Sequence, residues 1–413
     1  MDKSTMAFNA EKTGSAAGGG EDPHIVADVC IVGGGLAGAS AAFVLGTAGH
    51  RVALVDARSA YAPCFKAEKI EPDQAAMLRA LGLFEAVLPV ARRIHVEITA
   101  RAGVRTGARA LEQYGVHYHD LVNAIRGKAA SVANLLVGRV SAIETSDESQ
   151  RVTLTDGRSV RARLVVLASG SGGSRLHDQL AMPKRMVSEH HSMSYGFAVE
   201  RTSGEPFGFE ALTCTPQRLD QPIAYLTVFA QPDCMRANLF AYEAPTNPVV
   251  RRYLADVSGE LGRRMPGITD VIGEFRATTR VEAFPIDLSI TEGVDRPGIV
   301  LIGDAFQTVC PSTGTGLTKV FTDVDVLCRE YIPGWLATPG MDTSKIAAFY
   351  SNPRKRAVDD HSLKSAITMR RTALDHSLRF RVFRARLYAT RCIDRLFRSR
   401  HRGTGSLPEG AVR

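Results

Sequence analysis

The stretch ADVCIVGGGLAGASAAFVLGTAGHRVALVD, Ala27 to Asp56, decides the fold. Val29, Ile31 and Val32 form a short apolar run that predicts a strand buried on both faces. Gly33, Gly35 and Gly38 follow in G-x-G-x-x-G spacing. The first glycine permits a sharp turn, the second lets a pyrophosphate approach the main chain, and the third lets helix and strand pack closely. A helix over 37–48 then aims its first N–H groups and the positive end of its dipole at the phosphates, with Leu36 and Ala37 at its mouth. Val52–Val55 returns as a parallel strand, and Asp56, followed by Ala57, ends it with a carboxylate placed for a ribose hydroxyl. A ligand-free glycine turn does not account for that terminal acid. The stretch is therefore read as the seat of a dinucleotide.

A chain of 413 residues, 45% hydrophobic and 23% charged, suits a soluble globular protein of two or three domains. Its formal charge of +8 is concentrated: residues 370–402 hold eleven arginines against Asp375 and Asp394, and the remainder is close to neutral. No nucleic-acid footprint spreads over the body. The tail over 379–402 interleaves arginines with Phe380, Phe383, Leu387, Ile393, Leu396 and Phe397, which suits peripheral contact with an anionic membrane or an acidic partner; a solvated helix packed on its own domain is the alternative. Seven cysteines form no C-x-x-C pair, so neither a disulfide framework nor a metal site is expected, in keeping with a reducing cytoplasm. Residues 1–26 read as a disordered leader without the apolar centre of a signal peptide, and no run of about 18 apolar residues predicts a membrane span.

Beyond Asp56, helices are predicted over 73–88 and 117–130, with a strand over 94–100 and irregular chain over 101–117. From Asn134 the pattern switches to period two, with Asp156-Gly157 as a hairpin turn. Residues 163–168 then give a buried strand ending in a second glycine-rich turn. Strand-like segments fill 192–242, followed by one helix over 247–265, and residues 298–306 return to a buried strand. The expected fold is α/β (α+β overall). A Rossmann-type domain spans 27–190 and 286–340, a mainly antiparallel sheet domain is inserted over 191–285, a helical region covers 341–402, and 403–413 form a disordered end.

The passage GIVLIGDAFQTVCPSTGTGLTKVF, Gly298 to Phe321, resembles the second flavin motif of the FAD-dependent monooxygenases with the p-hydroxybenzoate hydroxylase fold. It stands about 270 residues after the first glycine motif, with β-structure between. The resemblance implies that Gly303-Asp304 reaches the ribityl chain, and that Pro311, Gly314, Thr315, Gly316 and Leu317 lie against the isoalloxazine. Backbone N–H groups at a helix start favour the negative charge of a reduced flavin, which agrees. It further implies that Asp56 takes the adenosine ribose and that Val140 lies by the adenine; where the hydroxylases carry an arginine-bearing loop, Lys66 or Lys69 supplies the cation for the pyrophosphate. The activity implied is hydroxylation of a small organic substrate: reduction by NAD(P)H, oxygen addition at flavin C4a and electrophilic oxygen transfer. Phe207, Phe209, Tyr225, Phe229 and Phe240 alternate along predicted strands and favour an aromatic or polyketide-like substrate.

Two departures keep other readings open. Ala168-Ser169-Gly170 stands where the hydroxylases carry Asp-Gly, and Glu68-Lys69-Ile70-Glu71-Pro72 is similar to a loop of flavin halogenases and geranylgeranyl reductases. An FAD reductase or halogenase fed by a separate electron donor is therefore the alternative, and a flavin-binding protein acting through its arginine tail is a third. Phe306-Gln307 replaces the family's Ala-His. No general base is identified: His119, His190 and His191 are candidates by position only, and Cys310 reads as a buried thiol rather than a flavin-facing one.

Overall fold

A computed structural model describes residues 24–64 and 66–387. At its centre lies a parallel sheet of five strands in the order Ile299–Leu301, Leu164–Leu167, Val29–Val32, Val52–Asp56, Asn134–Val137. Alternate residues of these strands supply two different cores. Val29, Ile31, Leu54, Leu164, Val166 and Val300 face a helical layer. Cys30, Val32, Ala53, Val55, Val165, Leu167, Ile299 and Leu301 face a four-stranded sheet of His24–Val26, Ser159–Ala162, Gln150–Leu154 and Val140–Glu144. Burial on both faces is why the strands read as unbroken apolar runs. The helix Leu36–Thr47 has neighbours on every side, so it has no polar stripe.

The second unit is a nine-stranded, mostly antiparallel sheet. Its strands Ala211–Thr215, Ile223–Ala230 and Met235–Ala241 also show a side-chain period of two. Leu212, Cys214, Leu226, Val228, Ala237 and Leu239 enter a core shared with helices Pro248–Ala255, Val257–Arg264 and Ile268–Ile272. The residues between them point the other way, into the cleft beside the parallel sheet.

Several expectations need correction. Residues 101–117 are not irregular: Val104–His117 is a 14-residue strand pairing with Arg92–Arg101. Its first half is solvent-exposed and broken by Gly107, which erased the apolar alternation. The strands Ala67–Ile70, Arg92–Arg101 and Val104–His117 fall within 27–190 yet belong to the nine-stranded sheet, so that sheet is not confined to 191–285. The single helix expected over 247–265 is two, broken at Asp256, whose side chain accepts the Gly259 N–H and starts the second. Residues 24–26 form a strand rather than leader; residues 1–23, and the tail beyond 387, lie outside the described residues. Among the described residues no helix is long and apolar enough to cross a membrane.

Beneath the second glycine motif lies a closed square of charges. Lys319 and Asp323 belong to the helix Gly316–Asp325, and Lys355 and Asp359 to Pro353–Leu374. Lys319 Nζ lies 3.1 Å from Asp323 and 3.3 Å from Asp359, and Lys355 Nζ lies 2.8 Å and 2.9 Å from the same two acids. Both lysines and Asp323 are 1% exposed. Burial pushes the Asp323 carboxyl up, but the two ammonium groups outweigh it and hold the acid below its ordinary range. Removing one member leaves buried charge uncompensated. We expect Asp323→Ala to lower the free energy of unfolding by about 3–5 kcal/mol, read as a fall in the urea midpoint at unchanged slope.

Candidate active site

The first glycine motif is held both by close backbone contacts and by side chains. Gly33 sits at φ +107°, and a Cβ there would come within 2.4 Å of the Ala168 carbonyl oxygen. A Cβ on Gly38 would lie 1.9 Å from the Gly33 oxygen. Gly35 is the opposite case: a Cβ there would meet nothing within 4 Å, so its bare backbone faces open space. Asp56 accepts hydrogen bonds from the Gly34 N–H (2.6 Å) and the Arg58 N–H (2.9 Å), which ties the end of its strand to the turn.

Arg126, not singled out from sequence, completes this end. It is 4% exposed, lies 3.6 Å from Asp56 Oδ2, and donates to the carbonyls of Gly34 (3.0 Å), Arg58 (2.6 Å) and Ser59 (3.0 Å). The available signal was an arginine within the buried stripe Leu121, Val122, Ile125 and Ala129 of the helix Tyr118–Ala130.

The second motif is equally constrained. Gly303 (φ +61°) donates its N–H to Asp323 at 2.8 Å, and its carbonyl accepts from Lys319 at 3.3 Å. Phe306-Gln307, the departure from the family's Ala-His, is absorbed by the same charge square. The Phe306 ring lies 4.3 Å from Lys355 Nζ, and Gln307 donates to the Asp359 carbonyl at 3.0 Å. Gly314 takes φ +67° before the helix Gly316–Asp325, whose first N–H groups have no upstream carbonyls.

One cavity of about 1230 Å³ joins these parts, larger than the roughly 300–1,000 Å³ of a typical small-molecule site. Of the residues expected to hold the cofactor, Gly33, Gly35, Leu36, Ala37, Asp56, Lys66, Gly303, Asp304, Pro311, Gly314, Thr315, Gly316 and Leu317 line it. Three do not. Gly38 serves helix–strand packing, Ala57 is exposed, and Val140 packs half-buried against the core behind the parallel sheet. The pattern fits FAD: a bare glycine turn and helix start for the pyrophosphate, an acid at the strand end for a ribose, and a second helix start beside Asp304 for the flavin. Glu68 also lines this part of the cavity. Burial raises its carboxyl to about 7; Lys66 opposes the rise and Asp304 adds to it.

The far end of the cavity is the inner face of the nine-stranded sheet, with Tyr225, Phe229 and Phe240 alternating with core residues as expected. Phe207 and Phe209 instead pack tilted against one another (5.3 Å) on the sheet's outer core. Polar side chains share the inner face: Glu97, Arg109, Thr213, Thr227 and Asn238. Glu97, also missed from sequence, is 2% exposed and accepts from Lys69 (2.5 Å), Arg109 (2.7 Å) and Thr213 (2.8 Å). Burial pushes its carboxyl up, but these donors outweigh it and keep the acid ionised. The alternation of Arg92–Arg101 placed it on a face, but nothing local said which face was inward.

The candidate bases fall elsewhere. His190 is exposed, and burial lowers His191 to about 4, so it is neutral at pH 7. His119 is not among the cavity-lining residues, whereas its neighbour Tyr118 is. Cys310 is fully buried behind the loop, hydrogen-bonded with Ser192 (3.3 Å) and Ser312 (3.0 Å).

The FAD binding domain family matches this chain over residues 26–332. The 3-demethoxyubiquinol 3-hydroxylase of Escherichia coli (strain K12) is 25% identical over 340 residues, covering 76% of this chain and 83% of that protein. The squalene monooxygenase of Rattus norvegicus is 24% identical over 393 residues, covering 87% of this chain and 63% of that protein. The crystal structure of the p-nitrophenol 4-monooxygenase PnpA from Pseudomonas putida DLL-E4 superposes with a TM-score of 0.70 at 17% identity, covering 89% of this chain and 94% of that one. With the glycine turn, the second motif and the cavity between them in place, the chain belongs to the FAD binding domain family and is an FAD-dependent oxidoreductase of the monooxygenase group with the p-hydroxybenzoate hydroxylase fold.

Proposed function

We propose that the protein hydroxylates an aromatic compound carrying an oxygen substituent, such as a phenol or quinol, with NAD(P)H as electron donor. The observation that carries this reading is continuity: one cavity runs from the dinucleotide seat to an aromatic sheet face. When bound, FAD supplies the redox chemistry, passing two electrons from the nicotinamide to O₂ so that one oxygen atom enters the substrate and the other leaves as water.

The chain's own residues bind, orient and exclude water. Gly33, Gly35 and the start of Leu36–Thr47 would take the pyrophosphate, with Asp56 on the ribose and Lys66 as a nearby positive charge. Asp304 and the 311–317 loop would hold the flavin ring against the sheet. Tyr225 fixes that loop from the sheet side, its hydroxyl donating to the Ser312 carbonyl at 2.8 Å. Tyr225, Phe229 and Phe240 would pack the substrate's ring, and Arg109 and Asn238 offer donors for its oxygen. The ubiquinol hydroxylase and the nitrophenol monooxygenase, both named for oxygen-substituted rings, support the same class.

Ser169 favours a second reading. It lines the cavity where the hydroxylases carry an acid tied to nicotinamide, which suits a flavin reduced by a separate protein. Anaerobic mixing with NADH and NADPH decides between them. Bleaching of the bound flavin, accelerated by a phenol, supports the hydroxylase; reduction only after adding a flavin reductase supports the alternative.

Two further outcomes are expected. Arg126→Ala removes the donors that hold the glycine turn to Asp56, and should weaken FAD binding about tenfold or more, measured by titrating the apoprotein with FAD. Glu68, with a carboxyl at about 7, is neutral below that pH and anionic above it. An added negative charge beside Asp304 opposes an anionic cofactor, so FAD affinity should fall as pH rises from 6 to 8. Glu68→Gln should flatten that dependence; an unchanged slope would refute the assignment.

A further inference from the structure

We propose that the C-terminal helix over 378–387 seats the protein on an anionic lipid surface. This goes beyond the catalytic reading and does not depend on it.

The helix is fastened to the body through Phe380 and Arg384, and Arg381 and Ala385 border a small cavity against Arg218, Leu219 and Asp220. Phe380 and Arg384, one turn apart, are each 7% exposed. The Phe380 ring lies 4.5 Å from the Arg371 guanidinium, and Arg384 donates to the carbonyls of Thr372 (3.0 Å) and Asp375 (2.8 Å). At 3.6 residues per turn the opposite face centres on Leu378, Val382 and Ala385. All three are exposed, Leu378 by 74% and Val382 by 45%. Arg381 flanks this apolar line on one side, and Arg379 and Arg386 flank it on the other.

An outward apolar line between two rows of arginine is a poor surface for water and a good one for a lipid interface. The aliphatic groups enter the headgroup boundary while the guanidiniums meet phosphates. Charge complementarity selects an anionic surface, because the chain's net positive charge is concentrated in residues 370–402 while the body is near neutral. An acidic protein would satisfy the arginines but gives no account of the apolar line between them.

The test is co-sedimentation of the full-length holoprotein with vesicles of phosphatidylcholine alone, or of phosphatidylcholine with phosphatidylglycerol, at low and high salt. We expect binding to the anionic vesicles only, weakened by salt. Leu378→Glu/Val382→Glu and, separately, Arg379→Gln/Arg381→Gln should each weaken it at least tenfold, with melting temperature and flavin content unchanged because these side chains face solvent. No binding to anionic vesicles, equal binding to neutral ones, or unchanged binding by both variants would overturn the proposal. So would variants that lose retention on an immobilised acidic polypeptide while still binding vesicles. Flavin content reports separately on the cofactor reading, so the two fail independently.

Discussion

The site depends on a buried square of two lysines and two aspartates that supports Gly303. Four buried charges would be costly if any one lacked partners. Here each ammonium meets both carboxylates, and Asp323 has a further donor in the Gly303 N–H. The consequence is geometric. Gly303 ends the approach of the strand Ile299–Leu301, Lys319 and Asp323 belong to the helix that begins at Gly316, and Lys355 and Asp359 belong to the long helix Pro353–Leu374. One polar cluster therefore fixes the second motif, its helix start and the C-terminal helical layer relative to one another. A wholly apolar junction would gain comparable stability without specifying that register so narrowly, which is the attested use of buried polar groups.

The other wall of the cavity comes from period-two geometry. The parallel sheet is buried on both faces and offers no side chain to a ligand; only its strand ends and the turns beyond them are available. The nine-stranded sheet has one face covered by three short helices, so its other face is left to line a binding space. A one-residue slip in Ile223–Ala230 would exchange Tyr225, Thr227 and Phe229 for Leu226 and Val228. The register of these strands thus sets the chemistry offered to a substrate as firmly as any single residue does.

Local chemistry was legible in the sequence and non-local chemistry was not. The turn at Gly33, the acid at Asp56 and the Gly303-Asp304 passage each announce themselves within a few residues, because strand, turn and helix are written contiguously. Tyr225, Phe229 and Phe240 followed from alternation alone. Arg126 and Glu97 did not, since their roles arise from partners 12 to 116 residues away. The strand Val104–His117 stayed hidden because its first half is solvated, and only its end, with Tyr114 and Val116, enters the core. Phe306-Gln307 read as a weakness in the second motif. In the fold the pair covers and bonds to the charge square; it is a different solution to supporting the same turn.

The two ends of the cavity are joined by an unbroken polar chain. Arg109 donates to Glu97; Glu97 holds Lys69, whose ammonium also lies 3.2 Å from Glu71. Glu71 caps the helix Pro72–Ala80 in a reciprocal box with Gln74, and Gln74 donates to the Gly314 carbonyl at 2.9 Å. Every step joins charged or half-buried groups, so shifting one member moves the hydrogen-bond demands of the next. Arg109 on the sheet face is thus connected through Glu97, Lys69, Glu71 and Gln74 to the Gly314 carbonyl. The same contacts fix the loop at Gly314 and the polar end of the sheet face relative to one another.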